Sequence, residues 1–259
     1  MDDHMQFFDS GAARLAYLDA PPTGPDRHEP ILLVHGFASN HAVNWVFPQW
    51  VKTLTADGRR TIALDNRGHG RSQKFEEPDR YHTMRMAQDC LTLMDHLALP
   101  RADVMGYSMG ARIGAFLARD HAERVRSLVM GGLGDHLVHG AGLPTGIADA
   151  METDRPDLLT DPQQKAFRAF ADATKSDRRA LAACIRGGRQ TMTVDDVRRL
   201  RTPTLICVGA RDDVAGDAHA LAALMPNARA VDIPDRDHNR AVGDKTFKEA
   251  VLTFLRLRP

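Results

Sequence analysis

The most specific pattern in this 259-residue chain is the stretch Val104-Met-Gly-Tyr-Ser108-Met-Gly110. It places the pattern Gly-x-Ser-x-Gly between a short apolar run and residues 111–119, which resemble a helix. A serine at such a junction lies on a sharp, strained turn that lifts its hydroxyl away from the backbone, and glycines are needed where neighbouring segments crowd the turn. The following helix directs its first amides toward the turn, where they stabilise an anion. Ser108 is therefore a candidate nucleophile, the alternative being a serine that only caps the helix.

The rest of the chain alternates short apolar runs with longer amphipathic segments. Continuous apolar runs are typical of strands that are buried on both faces of a sheet. The alternation predicts an α/β protein, a mostly parallel sheet with helices on its faces. The strand-like runs lie at 31–34, 61–64, 104–105, 128–130, 204–208 and 230–233, and the clearest helix-like segments at 84–97, 111–119 and 246–257.

Residues 134–201 interrupt this rhythm. They contain no convincing strand, and they are punctuated by Pro144, Pro156 and Pro162. Since an unstructured loop of this length is improbable inside a compact domain, we expect a helical insertion over the sheet. The predicted organisation is a core made of residues 1–133 and 202–259 and a helical cap insertion at 134–201.

Two further residues fit the chemistry that a serine nucleophile needs. A serine hydroxyl is a weak nucleophile until a base takes its proton. His238 follows the last strand-like run, and Asp212 follows the run before it, so both are expected at the carboxyl edge of the sheet beside Ser108. Asp213 is adjacent to Asp212 and remains an alternative as the acid, with Asp135 as a third option.

These motifs together resemble the α/β-hydrolase superfamily. Its members carry a nucleophile, an acid and a base in that order along the chain, as Ser108, Asp212 and His238 do here. The resemblance includes His35-Gly-Phe37 and Asp65-Asn-Arg-Gly-His-Gly-Arg-Ser72, which is typical of esterase and lactonase-like members, and it covers nearly the whole chain. It implies the α/β-hydrolase fold, with a mostly parallel eight-stranded sheet flanked by helices.

The resemblance also implies a role for each residue. Ser108 is expected to be the nucleophile, His238 the general base and then the general acid, and Asp212 the group that orients His238. The backbone amides of Phe37 and Met109 are expected to form the oxyanion hole. No cofactor and no metal ion are implied.

A serine at position 108 argues against haloalkane dehalogenases and epoxide hydrolases, which carry an aspartate there. The resemblance therefore implies a carboxylic ester hydrolase that forms an acyl-enzyme with small to medium acyl chains, or a lactonase. Alternatives are carbon–carbon bond hydrolysis, enol-lactone hydrolysis, cofactor-free perhydrolysis, and a ligand receptor that retains the fold. Pocket chemistry discriminates among the enzyme alternatives, chiefly a cationic residue of the insertion that binds a substrate carboxylate. The candidates for this residue are Arg168, Arg178, Arg186 and Arg189. Candidates for the acyl pocket are Trp45, Leu133, Leu143 and Val214, with burial in the core as the alternative for each.

Composition narrows the partners and the cellular location. The 34 basic residues balance 34 acidic ones, whereas a nucleic-acid-binding protein normally has a basic excess. No apolar run approaches the roughly 18 residues of a membrane span, and the first ten residues lack the apolar stretch of a signal peptide. The three scattered cysteines, Cys90, Cys184 and Cys207, favour neither a disulfide framework nor a zinc site. We expect a cytoplasmic enzyme whose partner is a small ester or lactone, with no nucleic-acid or membrane partner.

Overall fold

The computed structural model describes residues 5–140 and 143–258 and contains one eight-stranded sheet. The strands are β1 (Met5–Ser10), β2 (Ala13–Ala20), β3 (Ile31–Val34), β4 (Thr61–Leu64), β5 (Ala102–Tyr107), β6 (Val125–Gly131), β7 (Thr204–Gly209) and β8 (Ala228–Ile233). Their order is β1-β2-β4-β3-β5-β6-β7-β8. All neighbours from β4 to β8 pair in parallel, whereas β2 is antiparallel to both β1 and β4. The predicted fold class is confirmed.

Helices cover both faces of this sheet and follow most of its strands. They are α1 (Trp50–Ala56), α2 (Thr83–His96), α3 (Met109–Asp120), α4 (His136–His139), α5 (Gly146–Glu152), α6 (Pro162–Ala173), α7 (Arg178–Gly187), α8 (Val194–Arg199), α9 (Ala218–Leu224) and α10 (Lys245–Leu257). Short turns of other helix types lie at Ala42–Val46 (π), Pro78–Tyr81, Pro156–Leu158 and Ala241–Gly243 (3₁₀). No helix in the described part of the chain is long and apolar enough to cross a membrane.

The strands build two cores because successive side chains point to opposite faces of a sheet. In β3, Leu32 and Val34 pack with α2 and α3 on one face, while Ile31 and Leu33 pack with α1 and α10 on the other. Every residue of β3 is buried, which explains why its sequence is continuously apolar rather than alternating.

The segment between β6 and β7, residues 134–201, is called the insert below. Its described residues form α4 to α8 and no strand. A third apolar cluster, which includes Ile147, Leu181 and Ile185, joins the insert to Phe37 and Ala38 in the loop after β3. The insert therefore packs over the edge of the sheet where the parallel strands end.

Candidate active site

Ser108 lies on the turn that its sequence motif predicts. β5 ends at Tyr107 and α3 begins at Met109, while Ser108 between them has φ 54° and ψ −113°. A side chain in this backbone region costs of order 1–3 kcal/mol, a strain that recurs at functional sites. Crowding explains the glycine at position 110, since a Cβ there would lie 1.9 Å from the carbonyl oxygen of Val34.

His238 and Asp212 complete a continuous hydrogen-bonded chain with this serine. The Nε2 atom of His238 lies 3.0 Å from the Ser108 Oγ, and its Nδ1 lies 2.8 Å from Asp212 Oδ2. The Asp212 side chain is fully buried, and its other oxygen accepts the backbone amides of Val214 and Ala215 at 2.9 and 3.0 Å. A buried carboxylate on Nδ1 fixes that nitrogen as the donor, which leaves Nε2 free to accept the serine proton.

The two other candidate acids lie elsewhere. Asp213 is exposed and borders a cavity beside Ser108, rather than contacting His238 as Asp212 does. Asp135 accepts the backbone amide of Asp217 at 2.8 Å and serves the loop before α9. The geometry therefore joins Asp212, and neither alternative, to the histidine.

Tyr107, the residue before the serine, fixes the loop that carries the histidine. Its hydroxyl donates a 2.6 Å hydrogen bond to the backbone oxygen of His238, and the two rings lie 5.6 Å apart. Burial, with a further contribution from Asp212, raises the pKa of Tyr107 well above its usual value. The hydroxyl consequently remains a donor, and it anchors the main chain on which the imidazole is mounted. Tyr107 lies within the Gly-x-Ser-x-Gly motif, but the motif does not indicate this contact.

The loop after β3 brings the Phe37 amide toward the serine. A Cβ on Gly36 would lie 3.5 Å from the Ser108 Cβ, so the two segments are in close contact. The Gly36 amide donates to Asn44 Oδ1 at 2.9 Å, which fixes the loop's direction. Within residues 5–140 and 143–258, the amides of Phe37 and Met109 have no recorded protein acceptor. Both are thus available to a ligand oxygen, as an oxyanion hole requires.

His35 supports this loop from the buried side. Its Nδ1 donates to the Gly36 oxygen at 2.7 Å, and its Nε2 accepts the Asn66 amide at 3.0 Å. Burial lowers the pKa of His35 to about 4, and burial together with the neighbouring His35 lowers that of His69 to about 3. Both rings are neutral at pH 7, and their contacts are those of a scaffold.

Two cavities meet at Ser108, and Ser108 and Phe37 border both of them. The Arg112-side cavity, of about 270 Å³, has walls that include Met109, Arg112, Leu133, Leu143, Cys184, Ile185 and Val214. The His238-side cavity, of about 450 Å³, has walls that include Ser39, Val43, Asn44, Phe47, Phe167, Phe170 and His238.

Three of the four proposed pocket residues, Leu133, Leu143 and Val214, border the Arg112-side cavity. Trp45 follows the alternative, because it is fully buried in the core with α1 and α10. Its π-helical turn directs the indole inward, and the neighbouring Phe47 reaches the His238-side cavity instead.

Two arginines border the cavities at Ser108, Arg112 and the exposed Arg240, and neither was proposed from the sequence. Arg112 on α3 is buried and borders a cavity, while Arg168 and Arg186 pair with acidic residues of the insert. Arg178 and Arg189 donate to backbone oxygens and border neither cavity at Ser108.

Arg112 also connects both ends of the insert to the core. Its terminal nitrogens donate to the backbone oxygens of His136, Leu137 and Gly140 at one end and of Gln190 at the other, at 2.8–3.4 Å. Burial lowers the pKa of Arg112 to about 10. No carboxylate among the described residues pairs with it, so carbonyl dipoles alone compensate the buried charge. Only the position of the insert in space reveals this role.

All three cysteines are free and buried. Cys184 on α7 borders the Arg112-side cavity, with its sulfur 3.7 Å from that of Met109. Burial raises the pKa of the Cys184 thiol to about 12, so at neutral pH it is a small apolar wall residue.

Comparison with known proteins connects this geometry to a family. A Caulobacter vibrioides protein that carries the name carbamate hydrolase RutD is 36% identical over 259 residues, an alignment that covers 88% of this chain and 90% of that protein. The acetyltransferase component of an acetoin cleaving system from Pseudomonas putida is 29% identical over 251 residues. That alignment covers 90% of this chain, which spans only 65% of that protein's length.

A solved structure of a hydrolase from Pseudomonas aeruginosa superimposes with a TM-score of 0.78 at 27% identity, covering 98% of this chain and 99% of the other. Residues 29–161 match the family model described as alpha/beta hydrolase fold. The match begins just before β3 and includes the Ser108 turn. The chain belongs to the α/β-hydrolase family.

Proposed function

We propose that this α/β hydrolase cleaves carboxylic esters of small to medium acyl chains through an acyl-enzyme on Ser108. The observation that carries the proposal is the hydrogen-bonded chain from Ser108 Oγ through His238 to the buried Asp212. A nucleophile, a base and an orienting acid in this arrangement perform acyl transfer on several unrelated folds. The backbone strain at Ser108 supports the same interpretation.

Each group of the site has a defined role in the acylation step. Ser108 Oγ attacks the ester carbonyl carbon while His238 Nε2 takes the hydroxyl proton, and Asp212 stabilises the imidazolium that forms. The negative oxygen of the tetrahedral intermediate accepts hydrogen bonds from the Phe37 and Met109 amides, each worth about 3–4 kcal/mol in the transition state. The intermediate collapses when the alcohol oxygen receives the proton from His238 and leaves.

Deacylation repeats these steps with water. His238 takes a proton from the attacking water, and the second tetrahedral intermediate collapses to release the acid and return the proton to Ser108 Oγ. The walls around Ser108 are largely apolar and include the insert's Leu143, Ile185 and Phe167. An apolar, partly covered site of this size suits small to medium esters and lactones better than polymeric chains.

Carbamate hydrolysis is a second candidate, because a relative with that name aligns with most of the chain at 36% identity. The same serine attack on a carbamate carbonyl gives a carbamoyl-enzyme. Water hydrolyses its bond to Ser108 Oγ more slowly, releasing a carbamic acid, because the amide-like carbonyl is less electrophilic. Kinetics with matched p-nitrophenyl acetate and p-nitrophenyl N-methylcarbamate separate the two functions. Burst release followed by very slow turnover of the carbamate indicates an esterase, and sustained turnover indicates a carbamate hydrolase.

Carbon–carbon bond and enol-lactone hydrolysis act on substrates that carry a carboxylate. The buried cation at this site, Arg112, already donates its terminal N–H groups to four backbone oxygens. In the Arg112-side cavity a substrate carboxylate would have to compete with these bonds, which favours a neutral acyl group there. Perhydrolysis is measured in the experiment below, and the absence of turnover by folded wild type would favour a receptor role.

The test compares the wild-type protein with Ser108→Ala on p-nitrophenyl esters from acetate to decanoate. We expect turnover by the wild type, a drop of at least about a thousandfold in the variant, and an optimum at short to medium chains. Equal rates for both proteins would contradict the proposal, as would the absence of turnover by folded wild type. Adding acetate and peroxide to the same protein measures perhydrolysis separately.

A further inference from the structure

We infer that the two cavities divide the substrate, so that the alcohol part of the ester occupies the His238-side cavity and the acyl part occupies the Arg112-side cavity. The inference rests on the proposed ester hydrolysis and goes beyond it by assigning each half of the substrate to named walls. It also predicts which half of the ester is the larger.

The shared border of the cavities fixes where the reacting carbon lies. Ser108 and Phe37 are the two wall residues that the cavities have in common. When Ser108 Oγ attacks, the carbonyl oxygen must approach the amides of Phe37 and Met109. The two remaining substituents of the tetrahedral carbon then diverge, one toward each cavity.

The position of the base decides which substituent enters which cavity. His238 must deliver its proton to the leaving alcohol oxygen, which has to lie within about 2.6–3.2 Å of Nε2. The imidazole is part of the wall of the His238-side cavity and is not part of the other wall. The alcohol therefore extends along the His238 side, and the acyl chain extends toward Leu133, Leu143 and Ile185.

The walls then describe the substrate class. The acyl cavity is the smaller, about 270 against 450 Å³, and Leu133, Leu143 and Ile185 give it an aliphatic wall. The alcohol cavity includes Phe47, Phe167 and Phe170, whose rings provide faces for an aromatic group. The structure thus favours esters in which a short or medium aliphatic acid is joined to a larger aromatic alcohol.

A polar group in the alcohol cavity adds one further feature. The Ser39 side chain borders this cavity, is 4% exposed, and its hydroxyl has no hydrogen-bond partner within the described residues. A buried hydroxyl without a partner costs about 1–3 kcal/mol, so a ligand that satisfies it gains affinity. An aromatic alcohol with a hydrogen-bonding substituent fits this cavity better than a purely apolar one.

Two matched substitutions test the assignment. Val43 and Leu143 are both partly buried, border only the His238-side and Arg112-side cavities respectively, and take no part in the triad. For Leu143→Trp we expect the acyl-chain optimum on p-nitrophenyl esters to move at least two carbons shorter. For Val43→Trp we expect kcat/KM for 2-naphthyl acetate to fall about tenfold relative to methyl acetate, with an unchanged acyl-chain profile.

Deacylation kinetics provide an independent readout. All esters of one acid form the same acyl-enzyme, so the deacylation rate constant depends on the acyl side alone. Burst and steady-state measurements should give a changed constant for Leu143→Trp and an unchanged one for Val43→Trp. If a tryptophan variant fails to fold, Ile185→Ala and Phe170→Ala enlarge the same two cavities and should broaden the acyl and the alcohol profiles, respectively.

Ser39→Ala should lower kcat/KM about fivefold for 4-hydroxybenzyl acetate and leave kcat/KM for benzyl acetate unchanged.

The assignment of the cavities would be overturned if Leu143→Trp changed the alcohol profile and Val43→Trp the acyl profile, or if each variant altered both profiles equally. Ser108-dependent ester turnover would still support the proposed function in that case. Absence of Ser108-dependent turnover with every ester would overturn both.

Discussion

Asp212 and Asp213 are neighbours in sequence with opposite surroundings. Asp212 is buried and accepts hydrogen bonds from His238 and two backbone amides, whereas Asp213 is exposed. Asp212→Asn should therefore lower kcat on p-nitrophenyl acetate by about 10³–10⁴-fold, because an amide stabilises neither the correct tautomer nor the imidazolium. Asp213→Asn is the matched control and should stay within about threefold of wild type. Equal losses in the two variants would contradict the assignment of the acid.

His35 gives the protein a stability that depends on pH. Its pKa is about 4 in the fold and near 6.5 in an unfolded chain, so the unfolded state binds its proton first on acidification. This contribution is complete above pH 6.5 and is lost as the pH falls toward 4. Between pH 7.5 and 5 it amounts to about 2 kcal/mol of the unfolding free energy.

Urea unfolding of His35→Gln at the same two pH values isolates this contribution. The variant should be less stable than wild type at pH 7.5 and should lose about 2 kcal/mol less between pH 7.5 and 5. Since His121 is partly exposed at the end of α3, His121→Gln serves as the control and should keep the wild-type difference. A His35→Gln variant with the wild-type pH dependence would show that burial does not hold this histidine neutral.

At the scale of elements, Arg112 connects α3 to both ends of the insert. Arg112→Met removes a donor from four carbonyl oxygens, of which those of His136 and Leu137 keep a backbone amide. We expect a loss of about 3 kcal/mol in unfolding free energy. We also expect the Arg112→Met variant to be cleaved by protease faster within the insert than within the core. Arg119→Met, two turns later in α3, is the control; its pair with Asp120 is near the surface, so a change below about 0.5 kcal/mol is expected. Equal stability of the two variants would contradict the role of Arg112.

Several elements were predictable because their signals are local. A buried parallel strand has a continuous apolar run, so β3, β4, β5, β6 and β7 were recognised, and the run at 230–233 indicated β8. The Gly-x-Ser-x-Gly turn was recognisable because it needs glycines whatever surrounds it. The hairpin of β1 and β2 was missed, because its strands carry charged residues such as Asp9, Arg14 and Asp19 at the antiparallel edge of the sheet. An edge that is partly solvated has no continuous apolar run to identify it.

The site shows the same division between local and distant signals. Ser108, His238 and Asp212 each follow a recognisable strand, and parallel strands bring their ends to one edge, so their proximity was predictable. Arg112 and Tyr107 act through backbone oxygens 24 to 131 positions away in sequence. Nothing near either residue in the sequence marks those contacts, which only the tertiary fold creates.

At the scale of the whole molecule, the site is assembled from four separate loops. Phe37, Ser108, Asp212 and His238 follow β3, β5, β7 and β8, and the insert supplies one wall of each cavity. The loop that carries Ser108 does not make the serine reactive by itself, because the base and the acid lie on loops after other strands. The nucleophilicity of Ser108 is therefore a property of the folded chain.

Covalent labelling of Ser108 in the folded and the unfolded chain tests this dependence on the fold. A p-nitrophenyl alkylphosphonate reacts with an activated serine, and peptide mass spectrometry locates the adduct. We expect stoichiometric modification of Ser108 in the folded wild type, and none in urea-unfolded protein or in folded His238→Ala. An adduct at another residue, or Ser108 modification that persists in folded His238→Ala, would contradict the assignment of Ser108 and His238 as nucleophile and base.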